Sequence, residues 1–334
     1  MRIAVAATGS GHELVDFVVE AERLGADSVW TAEAWGYDAI TPLAFLAGRT
    51  ESIRLGTGIA QIGARTPAML AMTAMSMQAL SHGRFLLGLG ASGPQVMEGW
   101  HGVRFDSPVQ ATRETIEIIR KATRGDRLDY QGRVFSLPLP DSEGRAIRSM
   151  APPVDVPIYV AALGPRNLRL TGELADGWIG NAFMPETADA FLDELRAGAG
   201  DRDLDLLIPV AVEFTDEADE AARRHARGYA FTMGAMGSRD KNFYNAAFTR
   251  QGFGDDVRAV QDLWLSGQRE QAAERVPVEI GFRTNLLGPP DVVAERLRLY
   301  RDAGVTTLQA KLAGTLDERL ATLGQLLELT TTVL

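Results

Sequence analysis

Apolar and polar positions along the chain follow a repeated order: an amphipathic helix, a glycine near its C-terminal end, and a short apolar strand. In the first repeat, apolar residues spaced between Leu14 and Leu24 mark one face of a helix, and Gly25 is suited to a left-handed cap. An apolar strand begins just after Asp27. The same order recurs in three further segments, whose glycines are Gly83, Gly177 and Gly304. Strands that alternate with helices predict a parallel sheet covered by helices.

The apolar pattern places eight strands along the chain. They are predicted at residues 2–7, 28–31, 53–59, 85–90, 156–161, 177–181, 206–214 and 306–312. An eight-stranded parallel barrel takes about 250 residues, which leaves roughly 84 of the 334 for insertions. The proline-rich stretch 125–153 and the long, partly helical stretch 215–290, with an irregular centre over 234–254, suit that role. We therefore predict a single (β/α)8 TIM-barrel domain over residues 1–334, with insertions near 125–153 and 215–290.

Composition narrows the class of partner. The net charge is −10, and no run of lysines or arginines resembles a patch for nucleic acid or an anionic membrane, so we expect a small-molecule substrate. There are no cysteines, and histidines and carboxylates show no metal-ligand spacing, so no metal site is expected. The apolar run at the N-terminus is too short for a signal peptide, and no apolar run approaches the eighteen residues of a membrane span. These observations predict a soluble, cytoplasmic protein.

Residues 84–93 combine an apolar run with three glycines in the spacing of a dinucleotide-binding loop. In such a loop the last glycine opens a helix whose free N–H groups face a pyrophosphate, so a helix must follow. Further glycines interrupt the next stretch, and no amphipathic helix fits before about Pro108. The sequence therefore favours a glycine-rich strand exit near a ligand over a nucleotide-binding loop.

Six segments at or near the predicted strand ends match a family pattern, in order and over nearly the whole chain. They are Val29-Trp30-Thr31-Ala32-Glu33, residues 53–59, Arg65-Thr66-Pro67-Ala68, residues 83–90, residues 157–165 and Ala175-Asp176-Gly177-Trp178. In these segments the chain resembles the bacterial luciferase-like monooxygenase superfamily, and within it the branch of oxidoreductases that depend on coenzyme F420, a 5-deazaflavin. In such a barrel, active-site residues come from the loops that follow the strands.

The resemblance implies a cofactor site built from three of these loops. Two glycines in the apolar third strand indicate a close approach to its backbone, and the family's non-proline cis peptide would fall at Gly58–Ile59. After the fifth strand, Pro165 suits the first turn of a helix, whose free N–H groups at Gly164, Arg166 and Asn167 can face a phosphate. The implied ring contacts are Gly58, Ile59, Gln61, Ala91, Ser92 and Gly93, and the implied phosphate contacts are Leu163, Gly164, Pro165, Arg166 and Asn167. Without the resemblance, these segments are an ordinary glycine-containing strand and an ordinary helix start.

Three side chains are the candidate proton carriers: Glu33, Tyr37 and His101. Glu33 and Tyr37 follow the second strand, where the family has a carboxylate followed by a catalytic histidine, but Ala34 replaces that histidine here. His101 lies between glycines just past the fourth strand, and a histidine exchanges protons near neutral pH. Each of these residues also has a purely structural interpretation, because rim loops carry structural polar residues and perturbed carboxylates are often structural.

These observations predict a deazaflavin-dependent oxidoreductase that transfers hydride between coenzyme F420 and a small organic substrate. Two alternatives share the fold: a monooxygenase that uses reduced FMN and oxygen, and a non-catalytic flavin-binding protein. The resemblance also implies a homodimer. The identity of the substrate is open, because its contacts would come largely from the two insertions.

Overall fold

Eight parallel strands form the centre of the computed structural model, which describes residues 1–7, 11–237 and 242–333. The strands are β1 (Arg2–Ala6), β2 (Ser28–Thr31), β3 (Arg54–Thr57), β4 (Phe85–Gly90), β5 (Ile158–Ala161), β6 (Gly177–Ile179), β7 (Asp205–Phe214) and β8 (Thr307–Lys311). Each pairs with the next, and β8 also pairs with β1, so the sheet closes on itself. The structure confirms the predicted TIM barrel, and each predicted strand agrees with the observed one to within two residues at either end.

Two short pairings extend the barrel. After a break at Gly58 and Ile59, β3 resumes as Ala60–Gln61 and pairs with the end of β4. The far end of β7 pairs with Leu286–Gly288, a short strand of the second insertion.

Helices cover the outside of the barrel and form most of the second insertion. They are α1 (His12–Leu24), α2 (Ile40–Ala47), α3 (Pro67–Leu80), α4 (Pro94–Met97), α5 (Pro108–Thr123), α6 (Pro165–Leu174), α7 (Asp189–Ala199), α8 (Ala218–Ala235), α9 (Phe243–Phe248), α10 (Gly254–Leu265), α11 (Arg269–Arg275), α12 (Val278–Arg283), α13 (Pro290–Asp302) and α14 (Leu316–Val333). A 3-10 turn lies at Pro185–Thr187 and a π turn at Thr249–Phe253. Gly25 caps α1 in the predicted left-handed conformation, with φ of 99°. No helix among the described residues is long and apolar enough to cross a membrane.

The barrel interior is filled towards the amino ends of its strands. Trp30 and Tyr159 meet edge to face there, with ring centroids 5.1 Å apart. Gly56 and Gly177 leave room for these rings, because a Cβ at either glycine would lie 2.4 Å from a ring atom. Gly177 thus begins β6 beside Tyr159, at the first residue of the strand predicted over 177–181. The carboxyl ends of the strands, where active sites of such barrels lie, stay open.

The first insertion, near 125–153, carries a small hairpin of Tyr130–Gln131 and Ser136–Leu137. The carboxylate of Glu114 on α5 fastens this hairpin by accepting backbone N–H bonds from Arg133, Val134 and Phe135 at 2.7–3.2 Å.

The second insertion, near 215–290, contains α8 to α12 with a hydrophobic core of its own. Its centre, predicted to be irregular over 234–254, contains α9 and the π turn, so that prediction was wrong for residues 243–253. The buried side-chain amide of Gln251 connects the π turn to the loop after β6. Its nitrogen donates to the carbonyl of Ala182 at 2.8 Å, and its oxygen accepts from the Met184 N–H at 3.2 Å.

Candidate functional site

The carboxyl ends of β3, β4, β5 and β6 open into one cavity of about 890 Å³. Ten of the eleven residues predicted to contact a cofactor line it: Gly58, Ile59, Ala91, Ser92, Gly93, Leu163, Gly164, Pro165, Arg166 and Asn167. Gln61 is the exception, since its side chain is buried and lies outside the lining. Three loops that are far apart in sequence thus meet around a single space.

The floor of the cavity is formed where β3 breaks. The Gly58–Ile59 peptide is cis, as the resemblance implied. Next to it, the Thr57 hydroxyl donates to the Gly88 carbonyl at 2.8 Å and accepts from the Gly88 N–H at 2.9 Å. A Cβ at Gly88 would lie 1.8 Å from the Thr57 carbonyl oxygen, so only glycine allows this approach of β3 and β4.

The loop after β4 differs from its prediction in one respect. A helix was not expected before Pro108, yet α4 begins at Pro94, directly after Gly93, and lasts a single turn. Only glycine fits at position 99 just after it, because a Cβ there would lie 2.4 Å from the carbonyl oxygen of Gln95. Four residues do not make a dinucleotide-binding helix, so the interpretation of the glycines as a strand exit at a cavity stands.

The loop after β5 leads into α6 as predicted, but one of its donors is occupied. The Asn167 N–H donates to the Gly164 carbonyl at 3.0 Å, so the prediction that it is free was wrong. The N–H groups of Gly164 and Arg166 have no partner among the described residues. A Cβ at Gly164 would meet nothing within 4 Å, so the backbone there is open to the cavity. These two N–H groups and the exposed Arg166 guanidinium can bind an anion at this helix start.

Arg250, which the sequence did not single out, places a second guanidinium on this loop. It lies in the π turn, donates to the Leu163 carbonyl at 2.5 Å, and stacks 5.6 Å from the Phe191 ring centroid. Burial lowers the pKa of Arg250. The sequence carried no signal for it, because its position depends on how the second insertion folds back onto the barrel.

The wall opposite the strand ends is mostly apolar and comes from the second insertion. Phe231, Met236, Phe243 and Tyr244 line it, and Trp35 and Phe105 add aromatic surface from the barrel loops. Burial raises the pKa of Tyr244, so its phenol keeps its proton at neutral pH. A large apolar cavity with a few converging polar groups is typical of a cofactor or substrate site.

The sequence model of the luciferase-like monooxygenase family matches residues 2–307, most of the chain. The chain belongs to this family. The predicted family and the predicted class of enzyme are thereby confirmed.

One relative and two solved structures are similar to this luciferase-like chain. A relative from Mycobacterium tuberculosis, which bears the provisional name of a coenzyme F420-dependent oxidoreductase, is 38% identical over 307 residues, or 88% of each chain. The solved coenzyme F420-dependent tetrahydromethanopterin reductase of Methanopyrus kandleri superposes with a TM-score of 0.77 at 22% identity, covering 97% of both chains. The oxygenating constituent of 3,6-diketocamphane monooxygenase from Pseudomonas putida, solved with FMN, has a TM-score of 0.69 at 19% identity and covers 100% of this chain and 99% of its own. The two structural likenesses show the fold.

None of the three predicted proton carriers of this luciferase-like enzyme lines the large cavity. Glu33 is held in a buried ion pair: Arg65 donates to both carboxylate oxygens, at 2.6 and 3.0 Å. The N–H groups of Gln61 and Ala39 donate to the same oxygens at 2.8 and 3.1 Å. The hydrogen bonds to Glu33 in turn raise the pKa of Arg65. Four donors on one carboxylate fit an anchoring role, the structural interpretation of Glu33, better than a proton carrier.

Gln61 and His101 form a second polar contact, and neither residue lines the cavity. The Gln61 side-chain nitrogen donates to the carbonyls of Glu33 and Ala34 at 3.3 and 3.0 Å, which fixes the orientation of the amide. Its oxygen therefore accepts, and it lies 2.8 Å from Nε2 of His101. His101 thus carries a proton on Nε2, and its Nδ1 has no partner among the described residues.

Tyr37 is separate from both groups. It is exposed and lines a smaller depression of about 240 Å³ with Ala34 and Asp38. The structure therefore joins Glu33 and His101 through Gln61, which bonds to both, and leaves Tyr37 apart from them.

Proposed function

We propose that this luciferase-like enzyme is a coenzyme F420-dependent oxidoreductase that transfers hydride between the deazaflavin and a small organic substrate. The observation that carries the proposal is the meeting of three predicted cofactor loops around one cavity. The relative at 38% identity, whose name includes coenzyme F420, favours the deazaflavin over FMN.

The residues of the cavity fit such a cofactor. At Gly164 the backbone leaves open space that a Cβ would enter, and beside it lie Arg166 and two N–H groups that have no partner among the described residues. We assign the phosphate to this helix start and the ring to the floor made by Gly58, Ile59 and the loop of Ala91 to Gly93. The deazaflavin, when bound, supplies the hydride chemistry.

The protein's own part is to position the ring, exclude water and manage a proton. The apolar wall from the second insertion and the aromatic rim exclude water. Of the predicted proton carriers we retain His101, whose Nε2 proton is held on Gln61 and whose Nδ1 is unpartnered among the described residues. The phenol of Tyr244, which lines the cavity itself, is a second proton donor consistent with its raised pKa.

Titration of the purified protein with F420 and with FMN tests the cofactor. We expect tighter binding of F420, and we expect Gly164→Val to weaken it at least about tenfold while the melting temperature changes little, since the new side chain enters open space. Gly324→Val is the matched control, because a Cβ at this α14 glycine also meets nothing within 4 Å. Tighter FMN binding together with oxygen-dependent turnover would move the assignment to a flavin monooxygenase, and unchanged F420 affinity in Gly164→Val would place the phosphate elsewhere.

A further inference from the structure

Arg250 lies in the π turn between α9 and α10, and its neighbours in sequence hold that turn in place. Gln251 bonds to the loop after β6, and Phe253 packs into the core of the second insertion. Gly252 between them has φ of 97°, a left-handed conformation that glycine adopts at little cost. Turns of this kind occur frequently at functional sites. This one places Arg250 at the boundary between the insertion and the barrel.

Three backbone carbonyls accept hydrogen bonds from the Arg250 guanidinium. Its Nε donates to Ala190 at 3.3 Å, its Nη1 to Ala246 at 3.3 Å and its Nη2 to Leu163 at 2.5 Å. These carbonyls belong to α7, to α9 and to the loop after β5. A rigid, planar fork of donors suits such a set of acceptors better than a lysine ammonium does. The guanidinium is therefore fixed from three sides while it lines the large cavity.

The Leu163 carbonyl shares a peptide unit with the Gly164 N–H, one of the two donors assigned to the phosphate. This peptide is trans, so its carbonyl and its N–H point in opposite directions within one plane. A bond that holds the carbonyl therefore also fixes the direction of the N–H. Pro165, the next residue, has no N–H, so among the described residues Gly164 and Arg166 supply the two free backbone donors of this helix start.

The charge of Arg250 also strengthens the Gly164 donor. A guanidinium forms a charge-assisted bond with a carbonyl, and hydrogen bonds that follow one another in a chain polarise each other. Electron density drawn towards the Leu163 oxygen leaves the Gly164 N–H more positive and hence a better donor to an anion. Burial, which lowers the pKa of Arg250, also reduces the screening of its charge by water, while arginine keeps its proton at physiological pH.

Arg250 orders this loop before a ligand arrives. A Cβ at Gly164 would meet nothing within 4 Å, so packing restrains the Leu163–Gly164 peptide little on that side. The guanidinium itself is held by Phe191, a fully buried ring whose centroid lies 5.6 Å away. A ligand that has to order a loop loses affinity, and a loop that is ordered beforehand avoids that loss.

We propose that Arg250 is a positioning residue for the cofactor phosphate, which orients and polarises the Leu163–Gly164 peptide before the anion binds. The inference rests on the proposed function, which assigns the phosphate to this helix start. It makes the second insertion, and not only the barrel, part of the cofactor site. Because Arg250 also bonds to Ala246 of α9, one side chain connects the cofactor loop with the cavity wall that α9 forms.

Ligands with and without a phosphate separate this role from a general effect on the cavity. The probes are F420 and the phosphate-free deazaflavin that keeps the same ring and ribityl chain. We expect Arg250→Met to weaken F420 binding at least about tenfold, as for the loss of one hydrogen bond to a charged group, and to change binding of the phosphate-free compound by about twofold or less. Arg250→Lys, which keeps the charge and can donate to the Leu163 carbonyl, should bind F420 more tightly than Arg250→Met. Arg258→Met is the matched control, because Arg258 lies on the surface of α10.

Nuclear magnetic resonance observes the Gly164 N–H directly. In protein labelled isotopically at leucine carbonyls and glycine nitrogens, Leu–Gly peptides give selected amide signals, and Gly164→Ala identifies the one at position 164. We expect inorganic phosphate to move this proton signal downfield in the wild type, and less than about a third as far in Arg250→Met. Equal movement in both proteins, or no movement in the wild type, would overturn the proposal.

The titrations distinguish failure of this inference from failure of the proposed function. Unchanged F420 affinity in Arg250→Met would overturn the inference, and so would an equal loss for both deazaflavins, which would make Arg250 a support of the whole cavity. If neither deazaflavin binds the wild type, the proposed function is refuted, and the resonance measurement with inorganic phosphate still decides the role of Arg250. If Arg250→Met does not fold, Arg250→Gln takes its place under the same limits, because its shorter side chain also gives up the bond to Leu163.

Discussion

The ion pair of Glu33 with Arg65 allows the sharpest test of what the carboxylate does. Glu33→Gln keeps the shape of the side chain but removes its charge and replaces one accepting oxygen with an NH2 group. That group would face N–H donors of Arg65 and either Gln61 or Ala39, because all four contacts to Glu33 are donors. The variant therefore leaves the partly buried Arg65 guanidinium with only the more distant carboxylate of Asp38, at 4.0 Å, as a counter-ion.

The structure sets the size of the expected effect. Removing one partner of a buried ion pair costs about 3–5 kcal/mol, and the partial exposure of Arg65, 21% of its side chain, favours the low end. Unfolding entropy near the melting temperature is about 2.1 cal/mol/K per residue, or roughly 0.7 kcal/mol/K for 334 residues. A loss of about 3 kcal/mol then lowers the melting temperature by roughly 4 °C.

Thermal unfolding followed by circular dichroism, with turnover measured well below the transition, separates the two roles of Glu33. We expect the drop in melting temperature with only a small loss of turnover. Glu20→Gln is the control, since its pair with Arg23 lies on the surface and should change the melting temperature by about 1 °C or less. An unchanged melting temperature combined with a hundredfold loss of turnover would refute the anchoring role and restore Glu33 as a proton carrier.

Three further predictions concern the floor, the subunit interface and acid stability. Gly88→Ala should abolish F420 binding or folding, because the alanine Cβ would lie 1.8 Å from the Thr57 carbonyl oxygen. A melting curve shows whether the variant folds, and a titration shows whether the folded variant binds F420. Met72 is exposed on the outer face of α3, and if the predicted homodimer uses this face, Met72→Asp should turn the dimer into a monomer in light scattering. Burial of Glu114 opposes its ionisation, but its hydrogen bonds outweigh that and lower the pKa of Glu114. The ionised carboxylate therefore stabilises the fold above pH 4.5, so the wild type should be more stable there than Glu114→Gln. As the pH falls below 4.5, this difference in the free energy of unfolding should shrink, which urea unfolding measured across pH would show.

Each of these predictions has a control within the chain. Gly228→Ala places a methyl group where nothing lies within 4 Å and should leave binding intact. Leu299→Asp changes an exposed leucine on α13 and should leave the dimer intact. Glu328→Gln, on the exposed side of α14, is the matched control for the loss of one carboxylate charge. Wild-type F420 affinity in Gly88→Ala, a dimeric Met72→Asp, or a pH-independent Glu114→Gln difference would contradict the respective argument.

The sequence predicted the barrel and the strand-end part of the cavity lining because both depend on local patterns. Alternating apolar runs fix the strands, and in a barrel the loops after parallel strands meet at one end wherever they lie in the sequence. That is why loops as distant as those of Ile59 and Gly164 could be placed together.

The parts that the sequence could not predict depend on contacts between distant segments. Glu33 finds Arg65 thirty-two residues away, and nothing in either motif signals the pairing that removes Glu33 from proton transfer. Gln61 was expected at the ring, but its side chain is buried and bonds to the carbonyls of Glu33 and Ala34 and to His101 instead. Arg250 reaches the Leu163 carbonyl across the fold of the second insertion, a path that no local periodicity describes.

The two walls of the cavity differ in how freely they can change. The strand-end wall is made largely of backbone and small residues, and at Gly88 even a methyl group is excluded. The facing wall consists of large side chains of the second insertion, which is fastened to the barrel by a few contacts such as those of Gln251 and Arg250. We therefore expect substitutions in the strand-end wall to impair cofactor binding, and substitutions in the facing wall to change which substrate is bound. A chimaera that keeps Arg250 and Gln251 but takes a relative's α8 and α9 should acquire that relative's substrate preference while retaining its own cofactor.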